Sequence, residues 1–364
     1  MVRAMSSLSS LRVLVAGGGA VGSAVALAAR RAGAEVTLAD PAALGDNASG
    51  VAAGMLAPAF EAVLDPVSAG HFDLYRSARE LWPAFAAGFG AEGLVQRCGA
   101  LWVPAEAAGL DEMLGKLERI GARGEGVTPA RAVELASGVA APVGAAFTDE
   151  DWRLDAHAAL AGMRKALLGE GGVVRAARLT GFAPGRARLS DNRVEADVVV
   201  LASGLAPLGF DDPPAELGAL TPIKGQILRA PDAGPRQGPV VRGPGVYIVP
   251  GADGPWIGAT MQAGAADRAI DPDVTLELHA AAAGLFPALA GAGVEALAGV
   301  RAATPDGLPL VGPCTRPGVL LALGARRNGW LLAPMIAEAV VGALAGRDVD
   351  ARLAASRFVP VSPG

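Results

Sequence analysis

The sequence predicts a two-domain α/β protein in which a layer of parallel strands and helices is interrupted by a second domain built on an antiparallel sheet. Two patterns of strand, glycine turn and helix lie near the two ends of the chain, over residues 12–40 and 319–334. Between them, residues 222–261 form short apolar strands separated by turn residues, which is typical of an antiparallel sheet. The α/β layer is therefore expected to be assembled from separated pieces of the chain.

The first pattern, residues 12–40, predicts a Rossmann-like dinucleotide-binding unit. Gly17 permits the tight turn after the strand, Gly19 lets the backbone approach a pyrophosphate, and Gly22 lets the helix pack on the strand. Asp40 ends the second strand roughly 20 residues later, where a carboxylate can accept hydrogen bonds from ribose hydroxyls. An acid at this position disfavours a 2′-phosphate, and so NADP is not expected.

The second pattern, residues 319–334, combines a buried strand, a turn at Gly324 and the start of an apolar helix. Arg326 and Arg327 lie in this turn. The backbone amides that open the helix are suited to stabilising negative charge on a bound group. A cofactor held by two segments so far apart in sequence favours an FAD enzyme over a nicotinamide domain alone.

The segment over residues 47–58 begins with small and polar residues and continues with apolar ones. It predicts a close-packed stretch that opens a helix and whose backbone can lie against a flat ligand. The remaining helices are expected over residues 71–89, 106–138 (as two), 155–168 and 273–290, and further strands over residues 98–104 and 193–204. The last of these strands is almost continuously apolar, which is typical of a buried parallel strand.

The expected domains are discontinuous in sequence. The pattern of strands changes at a Pro- and Asp-rich loop over residues 205–222. The first eleven residues hold one Arg and several Ser but no apolar core of a signal peptide, so they are expected to be a flexible leader. The predicted divisions are residues 12–85, 150–215 and 300–360 for an FAD-binding domain, residues 86–149 and 216–299 for a substrate-binding domain, and residues 1–11 for the leader.

Composition excludes several classes of protein. Of the 364 residues, 52% are hydrophobic and 18% charged, and the net charge of −5 disfavours nucleic-acid binding. Cys98 and Cys314 have no CxxC spacing and only three histidines exist, so neither a metal site nor a redox disulfide is expected. Gly, Pro, Arg and Asp interrupt the apolar stretches, so no membrane span is expected, and the cytoplasm is the expected location.

Further motifs follow the glycine turn in a definite order along the chain. They are ASGVAAGMLAP at 48–58, IKGQ at 223–226, YIVP at 247–250, IGAT at 257–260, Arg301 with TPDGLP at 304–309, and RNG with LAP at 327–334. Together they resemble the D-amino-acid-oxidase-like flavoenzymes, and within these the glycine oxidase branch associated with thiamine biosynthesis. The resemblance extends from residue 12 to about residue 346, and its C-terminal motifs are the most specific.

The resemblance implies FAD as cofactor, and oxidation of an amine or amino acid by hydride transfer to the flavin. It implies that Arg301 binds the substrate carboxylate, with a hydroxyl of Tyr247 beside it, Met261 as an apolar wall and Arg327 at the flavin turn. His71, His157 and His279 lie outside these motifs and are expected to be structural or at the surface. Cofactor contacts are expected from Gly17, Gly19, Ala20, Val21, Gly22, Asp40, Ser49, Ala52, Ala53, Gly54, Met55, Val174, Ala202, Gly204, Arg326, Arg327, Asn328, Gly329 and Trp330.

The sequence also departs from the glycine oxidase branch. Ala325 and Arg326 stand where the branch often has a histidine and an aromatic residue, and Ala302 replaces a frequent proline. A wider or more cationic mouth of the substrate pocket is therefore expected. Cys314 does not match the position of the cysteine that carries covalent flavin in some family members, so a non-covalent FAD is expected.

Three functions remain open from the sequence. The first is an oxidase that converts a small amino acid or amine (glycine, sarcosine or a small D-amino acid) to an imine, with O2 reoxidising the flavin to give H2O2. The second is an FAD-dependent amino-acid dehydrogenase that passes electrons to a quinone or another carrier. The third is a non-catalytic nucleotide-binding or tRNA-modification-associated module, which predicts a basic patch or a partner domain. The sequence leaves open whether the chain forms a homo-oligomer.

Overall fold

The computed structural model describes residues 8–206, 209 and 212–358. The α-helices in this part of the chain are α1 (Ala20–Arg31), α2 (Pro58–Leu64), α3 (Phe72–Ala87), α4 (Ala107–Arg119), α5 (Pro129–Leu135), α6 (Ala156–Gly169), α7 (Pro272–Leu285) and α8 (Gly329–Leu344). These helices confirm the helical segments expected from the sequence. Within the described ranges, no helix is long and apolar enough to span a bilayer.

The strands are β1 (Arg12–Ala16), β2 (Glu35–Ala39), β3 (Met55–Leu56), β4 (Val95–Gln96), β5 (Ala100–Trp102), β6 (Glu125–Val127), β7 (Ala145–Thr148), β8 (Trp152–Leu154), β9 (Val173–Arg175), β10 (Leu179–Ala183), β11 (Gly185–Leu189), β12 (Arg193–Ala196), β13 (Val198–Leu201), β14 (Thr221–Arg229), β15 (Val240–Gly243), β16 (Val246–Val249), β17 (Trp256–Gly258), β18 (Gln262–Ala263), β19 (Glu295–Ala303), β20 (Leu310–Pro313) and β21 (Val319–Leu323). They form four sheets. Two of these sheets position the candidate site.

The first sheet has the strand order β20-β21-β13-β1-β2-β9. All of its strand pairs are parallel except β20 with β21. The central strands β1, β13 and β21 are rich in Val, Leu and Ala, as expected of strands buried on both faces. The two ends of the chain therefore meet in one α/β layer, as the two strand–turn–helix patterns predicted.

The two faces of this sheet pack against different elements. On one face, Val13, Val15 and Val200 pack with helices α1, α3, α6 and α8. On the other face, Leu14 and Val199 pack with the antiparallel strands β10, β11 and β12. Alternate residues of each strand thus serve two separate cores, since successive side chains of a strand point to opposite faces.

The second large sheet carries the antiparallel strands that the sequence predicted between residues 222 and 261. Its order is β18-β14-β17-β16-β15-β5-β7-β6, with β19 paired to β14 on the other side. Strands β14 and β19 run antiparallel in register over nine residue pairs, from Thr221 with Ala303 to Arg229 with Glu295. Strand β5 joins β15, so residues 100–102 and 240–242 lie in the same sheet. Both segments expected to form the substrate domain thus contribute strands to this sheet, and the domain division itself stays a prediction.

The leader expected over residues 1–11 differs from the structure at its C-terminal end. Leu8 is buried in the core beside α1, and its amide donates a hydrogen bond to the carbonyl of Ala32. Leu8 is therefore packed on the core, whereas Ser9 and Ser10 are exposed. The part of this expectation that concerns residues 1–7 lies outside the described residues, as do the parts of the expected loop and domain at 207–208, 210–211 and 359–360.

Two other expectations need correction. The apolar run at 193–204 is not one strand, because β12 ends before Asp197 and pairs only with β11, whereas β13 joins the parallel sheet. The alternating exposure of β12 explains the difference, since one of its faces is open to solvent. In addition, residues 300–303 belong to β19 and pair with β14, so the boundary expected at residue 300 falls inside a strand of the second sheet.

Candidate active site

The turn after β1 has no room for side chains at its three motif glycines. Gly17 has a φ of +112°, and a Cβ there would stand 2.5 Å from the carbonyl oxygen of Ala202. A Cβ on Gly22 would stand 1.9 Å from the carbonyl oxygen of Gly17, and a Cβ on Gly19 would stand 2.8 Å from Oγ of Ser49. Close approach of helix and backbone at these positions is what a dinucleotide-binding turn requires.

Two side chains accept hydrogen bonds from backbone amides beside this turn, at the start of α1. Oγ of Ser49 accepts a hydrogen bond from the amide of Ala20 at 2.9 Å. On the other side, Oδ2 of Asp40 accepts one from the amide of Gly18 at 2.6 Å. The first turn of α1 contains no acidic residue, so the positive end of the helix dipole remains available to a phosphate.

A cleft of about 1450 Å³ extends from the glycine turn to the start of α8. Trp330 joins the two regions, because its Nε1 donates a hydrogen bond to the carbonyl of Ser49 at 3.0 Å. The predicted cofactor residues that line the cleft are Gly17, Gly19, Ala20, Val21, Asp40, Ser49, Ala52, Ala202, Gly204, Arg326, Arg327, Gly329 and Trp330. The glycine turn, the helix start and the acceptor carboxylate fit the pyrophosphate and ribose of FAD.

The other predicted cofactor residues lie beside this cleft rather than on its wall. Gly22 packs beneath the turn. Val174 lines a separate small cavity on the far side of Asp40. Ala53, Gly54, Met55 and Asn328 line a second cavity, whose other walls include strands β14, β16 and β19 of the second large sheet.

The second cavity, of about 710 Å³, is called the inner cavity below. It shares walls with the cofactor cleft at Ala48, Ala52, Gly299, Arg301, Arg327 and Trp330. The four residues that the resemblance assigned to the substrate, namely Arg301, Tyr247, Met261 and Arg327, all line it. Four residues spread over positions 247 to 327 are thus brought into one cavity that borders the cofactor cleft.

Arg301 is a half-buried cation without a carboxylate partner in the described part of the chain. It lies on β19, and its Nη1 is 3.2 Å from the carbonyl oxygen of Thr260 and 3.4 Å from Sδ of Met261. Burial lowers the pKa of Arg301, and the nearby charge of Arg327 acts in the same direction. A guanidinium in this state is stabilised by an anion, and its planar donors suit a carboxylate.

Tyr247 supplies a hydroxyl to the same cavity. It lies on β16 opposite Gly258, where a Cβ would stand only 2.5 Å from the phenolic oxygen. Burial raises the pKa of Tyr247, although Arg301 and Arg327 oppose this effect. The phenol therefore keeps its proton at neutral pH and can donate a hydrogen bond.

Glu61 is a candidate site residue that the sequence motifs did not identify. It is buried on α2, and it lines the inner cavity. Its Oε2 lies 2.7 Å from Nε of Arg327 and its Oε1 lies 3.1 Å from Nη2 of Arg242. A single acid in an otherwise apolar helix is the signal that could have indicated it.

A second buried acid holds the helix that carries Glu61. Asp151 is fully buried, and its carboxylate accepts hydrogen bonds from the amides of Ala59 at 2.8 Å and Phe60 at 3.2 Å. Burial raises the pKa of Asp151 to about 6, against the opposing effect of Arg242. The position of Glu61 is therefore fixed at the first turn of α2.

The structure corrects the expectation that Arg326 makes the mouth of the pocket more cationic. This arginine has a φ of +50° and forms an ion pair with the buried carboxylate of Asp65. Its charge is balanced there. Ala325, where the branch often has a histidine, lines the cofactor cleft and leaves space on that wall.

The cysteines and histidines lie away from both cavities. Sγ of Cys314 is 3.3 Å from the carbonyl oxygen of Val319, and burial raises the pKa of this thiol to about 11. None of His71, His157 and His279 lines the cleft or the inner cavity. No group of three or more His, Cys, Asp or Glu suited to hold a metal ion occurs among the residues that the structure describes.

Comparisons with known proteins agree with this geometry. The family model for DAO, FAD dependent oxidoreductase, matches residues 12–343. A putative thiamine biosynthesis oxidoreductase ThiO from Rhizobium etli is 33% identical over 349 residues, which cover 91% of this chain and 95% of that protein. Glycine oxidase from Pseudomonas putida is 32% identical over 185 residues, 47% of this chain and 49% of that protein, so the similarity spans about half of that relative.

A further relative and a solved structure are also similar. D-amino acid dehydrogenase 2 from Ralstonia nicotianae is 32% identical over 227 residues, 57% of this chain and 53% of that protein. The crystal structure of glycine oxidase from Geobacillus kaustophilus superposes with a TM-score of 0.81 at 26% identity, over 96% of this chain and 100% of that one. The glycine turn, the cofactor cleft and these similarities together show that the chain belongs to the DAO family of FAD-dependent oxidoreductases.

Proposed function

We propose that this protein oxidises a small amino acid or amine, such as glycine, sarcosine or a small D-amino acid, to the imine, and that O2 reoxidises the enzyme with release of H2O2. The observation that carries the proposal is Arg301, a half-buried cation without a carboxylate partner among the described residues, in a cavity that borders the cofactor cleft. FAD, when bound in the cleft, supplies the two-electron acceptor for such a reaction.

Arg301 and Tyr247 would hold the substrate by its carboxylate. The guanidinium can bind a carboxylate through two parallel hydrogen bonds, and the phenol can donate a third. A carboxylate without these partners would be strongly disfavoured in a desolvated cavity. The apolar Ala259, Ile227 and Met261 on the cavity walls favour an uncharged side chain on the substrate.

The chemistry proposed here does not require a general base from the protein. None of the three histidines lines the inner cavity. Desolvation in the inner cavity disfavours an ammonium group, since burial lowers the pKa of a cation. The amine would therefore be held in its neutral form, with its lone pair free to support removal of the hydride.

The dehydrogenase is a second candidate. It is favoured by the similarity to D-amino acid dehydrogenase 2 from Ralstonia nicotianae, which aligns with 57% of this chain. It differs from the oxidase only in the acceptor that takes electrons from the reduced enzyme. The non-catalytic module is not supported, because the chain belongs to a family of oxidoreductases.

The proposed function is tested with a panel of glycine, sarcosine, D-alanine and larger D- and L-amino acids, assayed in air for H2O2 and under argon with a soluble quinone. The oxidase predicts H2O2 in stoichiometric amount with a small amine. Turnover with quinone but not with O2 would replace the oxidase by the dehydrogenase. Absence of turnover with every amine would contradict both.

A further inference from the structure

The inner cavity is lined by more cationic than anionic side chains. Of the described residues that line it, Arg301 and Arg327 are cationic and Glu61 is anionic. The carboxylate of Glu61 lies 2.7 Å from Nε of Arg327, whereas no carboxylate pairs with Arg301 in the same part of the chain. Among these lining residues, the charge of Arg327 is therefore balanced by a carboxylate of the protein, and the charge of Arg301 is not.

Two further buried charges near the inner cavity, Arg242 and Asp151, offset each other and leave this excess of one positive charge unchanged. Arg242 is buried, and its Nη2 lies 3.1 Å from Oε1 of Glu61. Asp151 is fully buried near Arg242 and is ionised above about pH 6. Three arginines (Arg242, Arg301 and Arg327) thus face two carboxylates (Glu61 and Asp151), which leaves one positive charge among these five residues. The nearby Arg326 does not add to it, because it is paired with Asp65.

We propose that Glu61 is a specificity-determining residue, which limits the substrate to amines that bear one carboxylate and rejects those that bear two. This inference rests on the proposed oxidation of an amino acid or amine. One carboxylate of the substrate pairs with Arg301 and neutralises the cavity. A second would have to pair with Arg327, where Glu61 already lies.

Two physical effects produce the rejection. Glu61 repels a second carboxylate, and at short range in a desolvated cavity such repulsion is much stronger than in water. Glu61 also cannot easily move aside, because the amides of Ala59 and Phe60 at the start of α2 are held by Asp151. Glu61 is therefore expected to repel a second carboxylate without any conformational change of the protein.

The test compares the FAD-loaded wild-type enzyme with Glu61→Gln, which keeps the shape of the side chain and removes its charge. Acetate and malonate are titrated at about pH 8 without turnover, by the change in flavin absorbance, because malonate differs from acetate by a second carboxylate. Sarcosine and iminodiacetate, which differ in the same way, are then compared as substrates by kcat/KM.

The expected result is that wild type prefers acetate and sarcosine, and that Glu61→Gln shifts both ratios by at least about tenfold towards malonate and iminodiacetate, which is ~1.4 kcal/mol. A shift of less than about twofold would overturn the proposal. Wild type that binds malonate more tightly than acetate would overturn it as well, whether or not the variant folds.

Glu150→Gln is the matched control. Glu150 is also buried and also paired with a buried arginine, with Oε2 3.1 Å from Nη1 of Arg79, but it lines neither cavity. The Glu150→Gln variant should be less stable than wild type, but its preference for acetate over malonate and for sarcosine over iminodiacetate should be unchanged. Equal shifts in Glu150→Gln and Glu61→Gln would overturn the proposal, because the effect would then come from general loosening. If no amine is oxidised by wild type, the proposed function fails, while the acetate and malonate titrations still decide the role of Glu61.

Discussion

Gly225 on β14 lies against the guanidinium of Arg301 on β19. A Cβ at position 225 would stand 2.1 Å from Nη1 and 2.4 Å from Nη2 of that side chain. Gly225 pairs with Gly299, so two adjacent positions on neighbouring strands leave space for the arginine. The position of Arg301, the proposed anchor of the substrate carboxylate, thus depends on a glycine in the IKGQ motif.

Gly225→Ala is therefore expected to displace Arg301 without unfolding the protein, because the contacted atoms are the free end of a flexible side chain. KM for the best amine should rise by about tenfold or more, while flavin content and Tm stay close to wild type. Gly284→Ala is the control, since a Cβ there meets no atom within 4 Å. An unchanged KM in Gly225→Ala would show that Arg301 does not hold the substrate in this position.

Gly19→Val should give a protein that lacks FAD. A side chain at this position would meet Oγ of Ser49 at 2.8 Å and fill the space beside the start of α1 where the pyrophosphate is expected. The measurement is flavin absorbance per chain after purification and after incubation with excess FAD, with circular dichroism to verify the fold. Full occupancy in a folded variant would mean that the turn does not bind the cofactor.

Tyr247→Phe tests the second donor to the carboxylate. Removing a hydrogen bond to a charged group should lower kcat/KM by a factor that corresponds to about 1–3 kcal/mol. Flavin content should not change, because Tyr247 lines the inner cavity and not the cofactor cleft. Kinetic constants equal to those of wild type would leave Tyr247 as an aromatic residue of the sheet.

Asp151 should make stability fall as the pH rises through the acid range. Its pKa is raised to about 6 in the folded protein from an ordinary value of 3.8, so between these values the folded state binds more protons than the unfolded state. The free energy of unfolding then decreases with rising pH by up to roughly 3 kcal/mol from this group.

The variant Asp151→Asn lacks this titration. The wild-type free energy of unfolding, measured by urea denaturation from about pH 4 to pH 7, should therefore fall relative to that of Asp151→Asn. Acids with a lowered pKa, such as Asp197, act in the opposite direction but equally in both proteins. A constant difference between the two curves would contradict the raised pKa.

The parts of the site that follow from local pattern were predictable from the sequence. The glycines of the first turn were indicated because each has a steric role that only glycine fulfils, and the C-terminal turn was indicated by its strand and helix start. The structure also brings Arg301, Tyr247, Met261 and Arg327 together, in agreement with the family resemblance. Their roles remain predictions that the variants above test.

The residues that sequence analysis missed depend on contacts between remote segments. Glu61 meets Arg242 across 181 positions, and Asp151 meets Ala59 across 92 positions. No local spacing indicates such a pair. The strands β10 and β11 were missed for a different reason, because their arginines and glycines suggest loop, and only packing of Leu179 and Leu189 on the parallel sheet stabilises them as strands.

Anaerobic reduction of the flavin by the best small amino acid is the measurement that decides most directly whether Arg301 anchors a substrate beside the cofactor. Wild-type holoenzyme should lose its flavin absorbance on mixing with the amine in the absence of O2. Arg301→Ala should keep its FAD, but the amine should reduce this FAD with a second-order rate constant lowered by a factor that corresponds to about 3–5 kcal/mol. The loss in Arg301→Lys should be smaller, because Lys keeps the charge but not the paired donors. Reduction of Arg301→Ala within about threefold of wild type would contradict the assignment of the substrate carboxylate to Arg301.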